Sequence, residues 1–135
     1  MKTVIRLTMI DGAYPGKEYE FGCRTVCTVG RANDCLLRLP SDGSNLTISR
    51  RHCLLDIDPP EVRVRDLGSR NGTFVNDRLI GRRELGQSHS NATMDEPPEV
   101  ELHEGDEIRL GNTVLRVEIV PIEAGTSVME QALVV

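Results

Sequence analysis

Apolar and polar residues alternate along this chain in short runs. In residues 4–10, Ile5, Leu7 and Met9 share one side, while Arg6 and Thr8 take the other. A period of two is that of a β-strand with one face buried and the other in water. The same pattern recurs in residues 18–21, 52–58, 61–67, 106–110 and 113–119. The sequence therefore predicts half-buried antiparallel strands over most of its length.

Turn-forming pairs separate these runs, and no stretch before residue 120 has the periodicity of a helix. Gly111-Asn112 connects two alternating runs directly, which predicts a two-residue hairpin. Short strands punctuated in this way favour an all-β sandwich. The other turn pairs are Asp11-Gly12, Pro15-Gly16, Pro59-Pro60, Asn71-Gly72 and Glu104-Gly105.

Two segments lie outside the strand pattern of the 135 residues, a length that fits one domain. Residues 86–98 are polar and unpatterned, so we expect a long surface loop inserted in the domain. Residues 120–135 follow the last predicted strand and form a tail. Ser127 and Glu130 have the spacing of a capping box, which leaves a short helix and a disordered tail both open. The domain itself is assigned to residues 1–119.

Composition narrows the classes of partner. The formal net charge is −5, and the chain has two Phe, two Tyr and no Trp. These values argue against a broad basic surface for nucleic-acid phosphates and against an aromatic platform for bases. Residues 1–10 do not resemble a secretory leader, and no apolar run is long enough to span a membrane. We expect a cytoplasmic protein that binds neither nucleic acid nor membranes.

The four cysteines are expected to be reduced thiols, because the chain is long enough to fold without disulfides and no secretory signal precedes them. A zinc site that combines Cys23 and Cys27 with Cys35, His52 or Cys53 stays open as an alternative. The CxxC spacing typical of structural zinc sites is absent. No metal and no cofactor are expected.

Residues 47–58, TISRRHCLLDID, place Ser49 three positions before His52, so a serine nucleophile with its base has to be considered. Asp56 or Asp66 would complete a triad. A nucleophilic serine needs an exposed, strained turn, and the G-x-S-x-G elbow is absent. On a strand, positions 49 and 52 would also point to opposite faces. The sequence therefore predicts a protein that is not an enzyme.

Three arginines share one description: Arg31, Arg50 and Arg70 each lie where a predicted strand meets a loop rich in Ser, Asn or Gly. Loops at one end of a sandwich cluster in space, so the three guanidinium groups can converge. Together with hydroxyl and amide groups, converging guanidinium groups can donate several hydrogen bonds to the oxygens of one phosphate. Neither a Walker loop nor a GxGxxG motif is present, so a phosphopeptide is a better candidate ligand than a nucleotide.

The ordered set Gly30-Arg31, Ser49-x-x-His52 and Ser69-x-Asn71-Gly72-Thr73-x-x-Asn76 resembles the signature of forkhead-associated (FHA) domains, which bind phosphothreonine peptides. Residues 105–117, GDEIRLGNTVLRV, resemble the family's closing hairpin, so the likeness covers about residues 3–119. It implies an FHA-type β-sandwich of two mainly antiparallel sheets with about eleven strands in all, and with ligand-binding loops at one end.

The resemblance also implies roles for single residues. Arg31 would hold the phosphate, Ser49 would donate its hydroxyl to it, and Arg50 and Arg70 would add contacts. Asn71 would hydrogen-bond the peptide main chain. Structural support of the site would come from Gly30, His52, Gly72 and Asn76, with the histidine as a brace between loops.

Arg51 is expected to be an exposed surface residue without a role in binding, because adjacent residues on a strand face opposite ways.

The function implied is a phosphothreonine-dependent protein–protein interaction module that binds phosphorylated partners, including a Ser/Thr kinase or its substrates. A preference for phosphothreonine over phosphoserine comes with the resemblance. Two alternatives stay open: a phosphate-independent scaffold that assembles through its tail, and a small zinc-binding structural domain. Ser88, Ser90 and Thr93 in the predicted loop keep self-recognition open as well.

Overall fold

The computed structural model describes residues 2–39, 47–83 and 97–122. These residues form eleven strands in two sheets, with no helix among them. The prediction of a β-sandwich with mainly antiparallel sheets is confirmed. Within the same ranges, no helix is long and apolar enough to cross a membrane.

The strands follow one another along the chain as β1 (Lys2–Asp11), β2 (Glu18–Phe21), β3 (Thr25–Gly30), β4 (Leu37–Arg38), β5 (Cys53–Asp58), β6 (Glu61–Asp66), β7 (Thr73–Val75), β8 (Arg78–Gly81), β9 (Val100–Glu101), β10 (Glu107–Leu110) and β11 (Thr113–Ile122). One sheet has the order β2-β1-β11-β10-β7-β8 and the other β4-β3-β5-β6-β9. Only the short pairing of β3 with β4 is parallel among the described pairs.

The core lies between the two sheets and is built from the alternating residues. Ile5, Leu7 and Met9 of β1 are fully buried. Leu55 and Ile57 of β5, in the other sheet, are buried in the same core cluster. Burial of such side chains is the main favourable term in folding. The strand faces predicted from the period of two are therefore the faces that the structure buries.

The β10–β11 hairpin turns at Gly111-Asn112, as the sequence predicts. Leu110 pairs with Thr113, and Gly111 has φ +59°, a left-handed conformation that glycine adopts without steric cost. A second tight turn, Asn76-Asp77 between β7 and β8, was not among the predicted turn pairs. Both of its residues have positive φ, which Asn and Asp tolerate better than other side chains.

Four connections meet at one end of the sandwich, which we call the loop end. They are residues 31–36 after β3, 47–52 before β5, 67–72 between β6 and β7, and the turn after β10. The His52 amide donates to the Val29 carbonyl, and the Leu67 amide donates to the His52 carbonyl, so the first three connections are bonded together. The loop end is where the arginine-bearing loops lie.

The predicted domain end at residue 119 falls inside β11, which runs three residues further, to Ile122. The predicted helix at Ser127 lies outside the described residues. Most of the predicted loop at 86–98 does too, apart from residues 97 and 98 just before β9.

Candidate functional site

Gly30 allows two loops to touch at the loop end. An ideal Cβ at this position would lie 2.1 Å from the carbonyl oxygen of Arg50. The Ala32 amide donates to that same oxygen at 3.0 Å, and the Arg31 amide donates to the Ser49 carbonyl at 3.2 Å. Glycine is required here because any side chain would push the 47–52 segment away from the end of β3.

Arg31 is half-buried and tied to the protein by one of its three guanidinium nitrogens. Its Nε donates to the Ile48 carbonyl. In the part of the chain that the structure describes, its two terminal nitrogens have no partner. A guanidinium held through Nε presents the remaining donors in a fixed plane, which is the geometry that suits a phosphate.

Ser49 has its hydroxyl proton available for a ligand. Its Oγ accepts the Arg70 amide at 2.9 Å, and its own amide donates to Nδ1 of His52 at 3.0 Å. The hydroxyl oxygen is thus oriented by a neighbouring loop, while none of the described residues accepts its proton. A hydroxyl in this arrangement donates outward.

His52 is fully buried and braces two loops. Its Nδ1 accepts the Ser49 amide, so Nε2 carries the proton and donates to the Gly72 carbonyl at 2.8 Å. Neither ring nitrogen is left to take a proton from the Ser49 hydroxyl. This geometry disagrees with a serine–histidine catalytic pair, and it gives His52 the position of a brace.

Burial lowers the pKa of His52, although its hydrogen bond to Gly72 and the nearby charge of Asp66 oppose the shift. The unfolded chain protonates this histidine below about pH 6.5, whereas the folded protein holds it neutral. Below about pH 6.5 the unfolded state therefore binds more protons than the folded state. The free energy of unfolding then falls as the pH is lowered from about 6.5 toward the lowered pKa of His52 in the folded protein. We expect urea denaturation to give a smaller free energy of unfolding at about pH 5.5 than at about pH 7.5.

The exposed residue His103 supplies the control for this pH dependence. The variant His103→Gln should keep the full loss of stability between the two pH values. If the variant abolishes the loss, or if the wild-type protein shows none, the account of His52 is wrong.

Asp66 organises the loop that carries Arg70, a role the sequence analysis missed. This buried carboxylate accepts the amides of Gly68 at 2.8 Å and of Ser69 at 2.9 Å. It also accepts the hydroxyls of Ser69 and of Thr73, the latter at 2.6 Å. Four donors compensate for the burial of the charge. The sequence suggests Asp66 only as a possible triad member, whereas the structure makes it the centre of this loop.

Gly72 closes the same loop in a left-handed conformation, with φ +95°. Its amide donates to the Ser69 hydroxyl at 3.0 Å, and its carbonyl accepts His52. The predicted positive-φ turn is therefore formed, and it is the point at which the histidine brace attaches.

Asn71 is exposed at the loop end and is oriented by Thr47, a second residue that the sequence analysis missed. Its Nδ2 donates to the Thr47 carbonyl at 2.9 Å, which leaves the side-chain oxygen to accept from a ligand. The Thr47 hydroxyl in turn accepts the Asn112 amide at 3.1 Å. Thr47 thereby connects the Asn71 loop to the β10–β11 turn.

Arg50 and Arg70 are exposed, and within the described ranges their guanidinium groups have neither a hydrogen bond nor an ion pair. Arg51, next to Arg50, differs in forming an ion pair with Asp34 on the surface. The structure therefore brings Arg31, Ser49, Arg50, Arg70 and Asn71 to one end of the sandwich. We call these five residues the candidate site.

Asn76 is the one predicted support residue that lies elsewhere. It is at the opposite end of β7, where its Nδ2 donates to Asp106 at 2.9 Å and its Oδ1 accepts the Glu107 amide at 3.0 Å. These bonds join the β7–β8 turn to the start of β10. Asn76 therefore has no direct contact with the candidate site and can stabilise it only indirectly, through β7.

The cysteines form no disulfide: Cys23 is exposed, and Cys27, Cys35 and Cys53 are buried. Burial raises the pKa of Cys27 to about 11 and also raises the pKa of the other two buried thiols. Protonated thiols are poor nucleophiles and poor metal ligands. Across residues 2–39, 47–83 and 97–122, no group of three or more His, Cys, Asp or Glu is arranged to hold a metal ion.

Comparisons with known families and solved structures show the family and the fold of this chain. The family model described as the FHA domain matches residues 27–94, which is half of the chain. Among curated protein sequences, no match to the chain was found.

Several solved structures share the fold. An FHA domain studied for phosphothreonine-dependent interactions is 29% identical, with a TM-score of 0.64 over 88% of this chain and 99% of that domain. The FhaA FHA domain, in complex with the intracellular domain of Rv3910, is 30% identical, with a TM-score of 0.61 over 84% and 99%. The kinase-interacting FHA domain of an Arabidopsis kinase-associated protein phosphatase has a TM-score of 0.69 over 90% and 98%. At 24% identity it shows the fold alone.

Proposed function

The chain belongs to the FHA domain family, and from that premise we propose that it is a phosphothreonine-dependent interaction module that recruits phosphorylated partners of Ser/Thr kinase signalling. The phosphopeptide-binding class is supported by the family and by the FHA domain with phosphothreonine-dependent interactions. The place in kinase signalling, the preference for phosphothreonine over phosphoserine and a cytoplasmic location belong to the proposal. Four unpaired cysteines agree with a reducing compartment.

The observation that carries the proposal is a set of donors on three loops at the loop end that no described residue uses. They are the terminal nitrogens of Arg31, the hydroxyl of Ser49 and the guanidinium of Arg70, and the described residues leave each without an acceptor. A phosphate offers several strong acceptor oxygens and about −1.5 to −2 charge. It can satisfy donors from all three loops at once, which a neutral hydroxyl cannot do.

The energetics of these bonds favour discrimination by phosphorylation. A hydrogen bond to a charged group contributes roughly 1.5–3 kcal/mol. Three of them would exceed the roughly 4 kcal/mol that separates millimolar from micromolar binding. The braces at His52 and Asp66 fix the loops before the ligand arrives, so little ordering cost remains to be met on binding.

Isothermal titration calorimetry with three peptides of one sequence tests the proposal. We expect micromolar affinity for the phosphothreonine peptide, weaker binding of the phosphoserine peptide and no measurable binding of the unphosphorylated one. Equal affinity for the phosphorylated and unphosphorylated threonine peptides would contradict the proposal. Equal affinity for phosphothreonine and phosphoserine would contradict only the preference between them.

A further inference from the structure

Thirteen of the fourteen arginines of this acidic protein fall into two groups. Six of them pair with carboxylates at the surface: Arg6, Arg24, Arg51, Arg63, Arg109 and Arg116. Seven others have no carboxylate partner within the ranges that the structure describes, and they are Arg31, Arg38, Arg50, Arg70, Arg78, Arg82 and Arg83. With a net charge of −5 there are carboxylates to spare, so the absence of pairing in the second group is a local property.

Arg82 and Arg83 lie directly beside the candidate site. β8 runs antiparallel to β7, so its last residue, Gly81, is opposite Thr73 at the loop end. The chain then continues past the sheet, and the Arg83 amide donates to the Ser69 carbonyl at 2.7 Å. Ser69 immediately precedes Arg70, so a backbone bond fixes Arg83 against the loop that carries the site's own arginine.

Arg78 is the contrasting case at the other end of the same strand. Like Arg82 and Arg83 it is exposed and has no carboxylate partner among the described residues, but its backbone is opposite Val75 in the hairpin, next to the Asn76-Asp77 turn. Arginines without a carboxylate partner in the described ranges therefore lie at both ends of β8, and only Arg82 and Arg83, just past its loop end, adjoin the candidate site.

Arg70, Arg82 and Arg83 form no ion pair with any described residue, and the Asp66 carboxylate beside Gly81 is engaged by four donors of its own loop. These three neighbouring cations raise the local potential in the free protein. Their mutual repulsion is relieved when an anion binds among them, and at physiological salt this effect reaches about 8 Å. The phosphate of one phosphothreonine is assigned to Arg31, Ser49, Arg50 and Arg70, which leaves Arg82 and Arg83 without an anion.

We propose that Arg82 and Arg83 form a second anion subsite, which selects peptides that carry another negative group close to the phosphothreonine. The inference rests on the proposed function, since the first phosphate anchors the peptide. The second group is a carboxylate of Asp or Glu, or a second phosphate. These two sources share the chemistry that guanidinium groups recognise.

The experiment compares four kinds of peptide: a phosphothreonine peptide with neutral flanks, versions of it with one aspartate scanned through the flanks, a version with a second phosphothreonine, and an unphosphorylated acidic peptide. We expect at least one aspartate position to lower Kd about tenfold, the second phosphate to lower it further, and added salt to reduce both gains. The unphosphorylated acidic peptide should not bind measurably. Comparing the decrease in Kd from the aspartate with the decrease from the second phosphate shows which of the two anions the subsite prefers.

The double variant Arg82→Gln/Arg83→Gln should lose the gain in affinity that an acidic flank or a second phosphate brings. It should still bind the neutral phosphothreonine peptide as the wild-type protein does. Arg78→Gln is the matched control and should keep the gain. The inference is overturned if acidic flanks bring no gain, or if the control loses as much of it as the double variant. Failure of the neutral phosphothreonine peptide to bind the wild-type protein would instead overturn the proposed function itself.

Discussion

Replacing Arg31 or Ser49 with alanine is expected to weaken the binding of a phosphothreonine peptide about 100-fold or more and to leave the fold intact. Each change removes donors that no described residue uses; within the protein, Arg31→Ala loses the bond from Nε to the Ile48 carbonyl, and Ser49→Ala loses the acceptor of the exposed Arg70 amide. Losing charge-assisted bonds to a phosphate costs roughly 1.5–3 kcal/mol for each bond, and about 1.4 kcal/mol corresponds to a factor of ten. Calorimetry measures the affinity, and thermal unfolding checks the fold.

Arg51→Ala is the matched control for these two variants. Arg51 is adjacent to Arg50 in the sequence and carries the same charge, but its guanidinium is paired with Asp34. We expect its affinity to stay within about twofold of the wild-type value, because exposed ion pairs contribute little. A loss as large as that of Arg31→Ala would mean that overall charge, and not loop geometry, governs binding. Normal binding by Arg31→Ala and Ser49→Ala would place the site elsewhere on the molecule.

Replacing Asp66 with alanine is expected to lower the free energy of unfolding by about 3 kcal/mol or more. The change leaves the hydroxyls of buried Ser69 and Thr73, and two backbone amides, without their acceptor. A buried donor without a partner costs about 1–3 kcal/mol. For a domain of this size the loss corresponds to roughly 10 °C in Tm. Urea denaturation and calorimetric melting both measure it.

Asp34→Ala provides the comparison for the Asp66 variant. Asp34 is an exposed carboxylate whose partner is the exposed Arg51, so its removal should cost less than about 1 kcal/mol. Similar losses for the two variants would show that the four hydrogen bonds of Asp66 do not hold the loop in the way described.

The faces of the strands could be predicted from the sequence, because burial follows a period of two. Ile5, Leu7 and Met9 are buried as their alternation indicates, and Gly111 forms the hairpin turn that its neighbours predict. The meeting of the arginine-bearing loops was also predictable, since each arginine follows or precedes a strand end and such ends gather at one end of a sandwich.

The contacts that hold the candidate site in place were harder to predict. Thr47 acts through the turn at Asn112, 65 residues further along the chain, and no local pattern reports such a contact. Asp66 did leave a local signal, because an aspartate two residues before Gly68 can accept that amide in an Asx-type turn. Its reach to the Thr73 hydroxyl depends on how the loop closes.

Asn76 shows how sequence proximity can mislead. It follows the Asn71-Gly72 pair by only a few residues, yet the extended β7 strand carries it roughly 10 Å away, to the opposite end of the sheet. The motif that includes it therefore spans both ends of β7, and only its first half adjoins the candidate site.

An NMR titration tests the central claim, that donors from three loops bind one phosphothreonine, most directly. With ¹⁵N-labelled protein and a phosphothreonine peptide, we expect the largest amide shifts at residues 30–31, 47–52 and 69–72, with the unphosphorylated peptide causing none of them. Shifts confined to the far end of the sandwich, around Asn76 and Gly105, or equal shifts with both peptides, would contradict the account.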